Sequence, residues 1–188
     1  MNEGLKGRGA AGAAFVLDDV LAPGLGLVFC GSAAGATSAR LGQYYAHPQN
    51  RFWPTLKKTG LIPEDFDKAE FRKLPALGIG LTDLAKYASG MDGALPKGSL
   101  GEAACANLRR RIAAARPVFL AFTSLTAGRA FLGPATQLGE QADEKRIGAT
   151  RLWVLPSPSP AAGRTWDEGW WFGLAKAARP YLAGSTVN

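Results

Sequence analysis

Three short apolar runs, LGLVFCG (residues 25–31), PVFLAF (117–122) and RLWVLP (151–156), constrain the fold more than any other feature of this chain. Each is continuous rather than alternating and too brief for a buried helix, which is how strands covered on both faces read. Between them lie segments with helical spacing. The clearest runs from Gly101 to Ala115, where Ala104, Leu108, Ile112 and Ala115 recur on one side. Another is predicted from Asn50 through Lys58, with Phe52, Trp53, Thr55 and Leu56 partly buried, and TSLTAGRAFLG reads as a return helix after the second strand. A last amphipathic helix is expected within TWDEGWWFGLAKAARPYL (165–182), with Trp166, Trp170, Phe172 and Leu174 in the core. Strands alternating with helices predict an α/β fold, a three-layer α/β/α sandwich around a mainly parallel sheet of about four strands. Residues 1–19 are expected to be a flexible N-terminal segment, 20–183 a single domain, and 184–188 a tail.

In such a sheet, ligands gather outside the carboxyl ends of the strands. Three stretches are expected there: GSAAG (31–35), taken as a turn after the first strand, TDLA (82–85) after a short second strand, and LPSPSP (155–160) after the last. The glycine spacing does not match a dinucleotide-binding fingerprint. Lys and Arg outnumber Asp and Glu by 22 to 15, a formal charge of +7 that suits a polyanionic partner such as DNA or RNA, although a basic surface also simply keeps a protein dispersed. Cys30 and Cys105 form no disulfide framework and lack metal-ligand spacing, which points to a reducing cytoplasm and to no metal or other cofactor. No apolar run is long enough to span a bilayer, so no membrane partner is expected.

LAPGLGLVFCGSAAG followed by YYAHPQNRFW resembles the first motif, base-pocket segment and following helix of the uracil-DNA glycosylase superfamily, most closely its mismatch-specific uracil and thymine branch. LPSPSP is similar to the loop with which that branch presses on DNA near the lesion, and GIGLTDL (78–84) lies where it has another glycine-rich strand end. The resemblance covers about residues 20 to 175. It implies a monofunctional, monomeric hydrolase that flips uracil, or another deaminated or damaged base, out of DNA carrying uracil or a mismatch. Water then cleaves the N-glycosidic bond without a covalent intermediate.

The branch's first motif carries an asparagine that helps place the water; here Ala33 stands in its position, and a methyl group can neither orient water nor take a proton. The resemblance assigns the base to backbone near Ser32 and Gly35, to stacking on Tyr45 with Tyr44 as its competitor, and to Asn50. Packing is the rival role for the tyrosines, and helix capping for Asn50. Asp83 is the candidate to replace the asparagine, because a carboxylate polarises water and offsets positive charge on the sugar; helix capping is again the alternative. His47, the only histidine, is a second catalytic candidate with a loop-shaping role as its rival. Asp18 and Asp19 look less well placed. Ser157 and Ser159 match hydroxyls that contact phosphate. The intercalating side chain falls near Ala161 or Ala162, a small wedge, with Arg164 beside it for the helix or a phosphate. Two classes stay open: an active glycosylase, and a catalytically weak or inactive relative that binds damaged DNA.

Overall fold

The computed structural model describes residues 14–183; the rest of the N-terminal segment, residues 1–13, and the tail at 184–188 lie outside the described residues. Five strands form one sheet in the order β2-β1-β3-β5-β4. β1 (Leu27–Ala34), β2 (Ile79–Ser89), β3 (Phe119–Phe122) and β5 (Arg151–Val154) are parallel, and the two-residue β4 (Gly139–Glu140) closes the edge antiparallel to β5. The three apolar runs become β1, β3 and β5, and their side chains are buried alternately on the two faces.

One face packs Phe29, Leu81 and Phe119 under α2 (Phe52–Lys58) and α5 (Gly169–Ala178); the other packs Val28, Cys30, Leu120 and Leu152 under α3 (Glu102–Ala115) and α4 (Leu125–Leu132). Phe52 meets Phe29 edge-on at 5.2 Å between ring centroids, and Trp171 lies 5.8 Å from Phe29. Burying each of these rings contributes about 1.5–3 kcal/mol. α3 ends where Arg116 turns left-handed (φ 49°) and its N–H caps on the Ile112 carbonyl at 2.7 Å, just before Pro117. Ser124 caps α4 by accepting from the Ala127 N–H at 3.0 Å.

Several expectations change. β1 does not stop at Gly31 but continues through GSAA to Ala34, so the glycine-rich run is strand rather than turn as far as Ala34. β2 is eleven residues long, and Asp83 sits within it rather than after it. No helix begins at Asp83, which removes the capping role. In α5 the buried side is Trp171, Leu174, Ala175 and Ala178, a clean i, i+3, i+4, i+7 set, while Trp170 and Phe172 are exposed and Trp166 precedes the helix. The final part of the segment expected to be flexible is packed: Leu17 is buried and the Val16 N–H donates to the Lys86 carbonyl at 2.8 Å, while Val20, where the expected domain begins, bridges Leu81 at the open edge of β2.

Candidate active site

Gly31 pairs in register with Asp83 on the neighbouring strand. A Cβ on Gly31 would overlap the Asp83 carboxylate oxygen and lie 3.4 Å from the Tyr45 hydroxyl. The glycine therefore makes room for a carboxylate held across the strand pair, beneath a tyrosine. Asp83 is only 4% exposed, and no donor among the described residues bonds its carboxylate; Arg111 Nη2 donates instead to its backbone carbonyl at 3.1 Å. Burial pushes its pKa up from 3.8 to about 6, opposed by Lys86 and Arg111 and reinforced by Asp19. The group is thus mainly ionised at neutral pH, yet close enough to its pKa to accept a proton.

Tyr45 is fixed from several directions. Its ring stacks on Phe52 at 3.8 Å between centroids and 13° between planes, and its hydroxyl shares a hydrogen bond with Thr123 Oγ1 at 3.1 Å. The backbone is left-handed (φ 51°), which costs a non-glycine residue about 1–3 kcal/mol and persists only where the surroundings impose it. They do so on both sides: Trp53 Nε1 donates to the Tyr44 carbonyl at 3.0 Å, and the Ala46 N–H donates to Ser38 Oγ at 3.1 Å. Burial and the Asp83 charge hold the Tyr45 phenol well above the ordinary tyrosine pKa, so it remains a neutral donor. Tyr44, by contrast, is a core residue, 2% exposed, with its hydroxyl on Lys86.

The other sequence candidates are distributed around this centre. Ser32, next to Gly31 in the strand, faces the opposite side of the sheet, where its hydroxyl and that of Ser124 share a 2.9 Å hydrogen bond. Gly35 is exposed at the start of a six-residue helix, α1 (Ala36–Leu41), with open space around its α-carbon. Ala33 is half-buried on β1. Asn50 Oδ1 accepts from the Phe52 N–H at 2.9 Å, capping the first turn of α2. His47 is exposed, its Nδ1 accepting from the Gln49 N–H at 3.2 Å, and with Tyr45, Asn50 and Trp53 it lines a groove beside α2.

Ser157 and Ser159 lie in the loop after β5, where each hydroxyl oxygen accepts from the backbone N–H two residues on, at 3.3 and 3.4 Å, leaving the hydroxyl protons free to donate. Ala161 and Arg164 are exposed on the 3-10 turn that follows. Arg51 ties this loop to α2: its N–H donates to the Pro158 carbonyl at 2.9 Å, and its guanidinium lies 5.4 Å from the Trp166 ring centroid. Among the described residues, no three His, Cys, Asp or Glu side chains converge as a metal site, and no helix is long and apolar enough to cross a membrane.

Residues 19–175 match the family model described as "Uracil DNA glycosylase superfamily". The chain belongs to that superfamily. As a superfamily member it is related to DNA glycosylases, hydrolases that act on DNA. Its fold is similar to the solution NMR structure of a "putative Uracil DNA glycosylase" from Methanosarcina acetivorans, with a TM-score of 0.63 and 22% identity, over 86% of this chain and 96% of that one.

Sequence reasoning missed Thr123 and Lys86, set Asp19 aside as less well placed, and gave Arg111 no part in the site. Thr123 has a faint signal, a hydroxyl at the carboxyl end of a strong strand ahead of a helix cap. The place of Asp19 is not legible locally, because the antiparallel bridge that carries it past β2 joins residues some sixty positions apart.

Proposed function

We propose that this superfamily member is a monofunctional DNA glycosylase of the mismatch-specific kind, hydrolysing the N-glycosidic bond of uracil and other deaminated bases in DNA. It would act as a monomer in the cytoplasm, without a cofactor. The observation that carries this reading is the Asp83 carboxylate, which belongs to a residue only 4% exposed, lies over Gly31 against Tyr45 and has no hydrogen-bond donor among the described residues. Its oxygens are not among the fully buried unpartnered atoms, so a water or ligand can reach the group and complete it.

In the proposed reaction the target nucleotide leaves the stack and its base enters the cleft beside Tyr45, whose ring is already fixed and so loses no further freedom on stacking. As the C1′–N bond lengthens, positive charge grows on the sugar and the bonding electron pair departs with the base. Ionised Asp83 stabilises the cation and orients a water for attack at C1′. The water's proton passes to Asp83, and solvent protonates the departing base. Backbone near Ser32 and Gly35 and the amide of Asn50 would hold the base's polar edge, and His47 would contribute loop shape rather than proton transfer. Ser157, Ser159 and Arg164 would hold phosphates beside Ala161, whose methyl group is a small wedge for the gap left by the flipped base.

Ala33 favours a second reading, a relative that binds damaged DNA without cleaving it, because the side chain in the motif's water-placing position is inert. Single-turnover incubation of the protein with duplexes containing one uracil, followed by measurement of free base and abasic strand, separates the two. Release of uracil at a rate well above that of undamaged duplex supports the glycosylase; lesion-selective binding without release supports the second reading.

A further inference from the structure

Behind Asp83 lies a set of buried charges that the reaction itself does not call on. Lys86, on the same strand, has a side chain only 2% exposed, with its ammonium 2.8 Å from Asp19, 2.6 Å from the Leu17 carbonyl and 3.2 Å from the Tyr44 hydroxyl. Arg111 reaches over from α3 and pairs with Asp19 at 3.0 Å. Its Nε donates to Asn107 Oδ1 at 2.7 Å, Nη1 also meets the Thr82 hydroxyl, and Nη2 holds the Asp83 carbonyl at 3.1 Å. Thr82 Oγ1 in turn donates to Asp19 at 2.6 Å.

Two cations and one anion leave an excess of one positive charge, and an ionised Asp83 is the group that neutralises it. The other titratable groups near Asp83 are uncharged at neutral pH: the Cys30 thiol on β1, pushed up by burial, and the Tyr44 and Tyr45 phenols between α1 and α2.

The geometry points to Lys86 and Arg111 as positioning residues for Asp83: together with Asp19 they fix the β2 backbone at residue 83 and keep its carboxylate ionised in a buried place. This rests on the reading of Asp83 as the group that orients water. Burial alone favours the neutral acid, which cannot take a proton from water, so an uncompensated carboxyl here would be inert at neutral pH. Lys86 and Arg111 counter the desolvation, and Asp19 limits the correction by partly neutralising them. Opposite substitutions within the set therefore have opposite effects, which a purely structural role would not produce.

The test follows the Asp83 carboxyl carbon by NMR through a pH titration, its resonance assigned by its loss in Asp83→Asn, in the wild type, Lys86→Met and Asp19→Asn. The same proteins are assayed for single-turnover uracil release across pH. Lys86→Met is expected to raise the Asp83 midpoint by about 1 or more, as loss of a nearby opposite charge does, with the rate about halved at pH 7 and down about tenfold on the acid limb, below both midpoints. Asp19→Asn, which retains an oxygen for Thr82 and Arg111, is expected to lower the midpoint and to move the acid limb of the rate profile to lower pH. Should Lys86→Met not fold, Asp19→Asn carries the test alone. An unmoved midpoint in the folded variants, or shifts of the same sign in both, overturns the inference. Midpoints that move as expected while uracil release follows neither them nor Asp83→Asn would sustain the charge set and refute the catalytic reading of Asp83.

Discussion

Asp19 and Asp83 are two carboxylates under the influence of the same two cations, and the protein treats them in opposite ways. Asp19 is saturated: it accepts from the Thr82 hydroxyl, pairs with Lys86 and pairs again with Arg111. Asp83 is more deeply buried, at 4% exposure, and its carboxylate has no protein donor among the described residues. The contrast separates two uses of an acidic side chain. A carboxylate that stitches structure together is given every partner its lone pairs can take, because each unpaired one costs free energy. One left almost wholly buried and without a protein donor is a standing cost, tolerated where a water or ligand reaching it completes it.

Breaking the satisfied side should have the largest effect on stability. Lys86→Ala removes one partner of a buried ion pair and empties the space under Tyr44, and a loss of about 3 kcal/mol or more is expected in denaturant titration. A loss no greater than that of an exposed pair such as Lys58–Glu168 would mean that Asp19 and Lys86 are not the linked structural pair described.

The bare side should respond with the opposite sign. The folded Asp83 carboxyl, at about 6, still holds its proton at pH values where the ordinary carboxyl, near 3.8, has lost it. The native state therefore binds more protons over that window, and stability falls as pH rises from about 4 through about 6. Asp83→Asn removes this penalty, so it is expected to stabilise the protein on the order of 2–3 kcal/mol above about pH 7, with the gain fading below about pH 4. A variant destabilised at every pH would show that Asp83 is a structural group like Asp19.

Gly31→Ala sharpens the comparison further. Its new Cβ collides with the Asp83 carboxylate, and a destabilisation of about 1 kcal/mol or more is expected from the forced displacement. In the Asp83→Ala background the collision is gone, so the same change should cost distinctly less. A double-mutant cycle measures the difference, and strictly additive effects would dissociate the two residues.

How much of this was readable in the sequence depended on whether the signal was local. The strands β1, β3 and β5 and the helix α3 were legible because continuous apolar runs and helical spacing are properties of neighbouring residues. Their limits were less so. Glycine and serine suggested that β1 ended at residue 31, yet its ladder with β2 carries it through Gly31 and Ala33 before the register shifts. The buried side of α5 is not legible in the sequence, because WWF offers three adjacent aromatics and only the register against Phe29 selects Trp171. The short β4 has no pattern of its own and exists through pairing with β5. Asp83 and Tyr45 both stand out in the sequence, but the glycine that seats one under the other, and the cations behind them, depend on which strands become neighbours. That information is absent from any single stretch of chain.

In the proposed reaction Asp83 performs the chemistry which Ala33, in the motif position, cannot. Single-turnover release of uracil from a uracil-containing duplex by the wild type and Asp83→Asn, at saturating enzyme and with binding to the same duplex measured alongside, tests this most directly. Asparagine keeps the size of the side chain and removes its charge and its capacity to take a proton. The expected result is a fall in the rate of about 100-fold or more, in the range that loss of a positioned acid-base group produces, with DNA affinity preserved. Release by Asp83→Asn at close to the wild-type rate would contradict the claim.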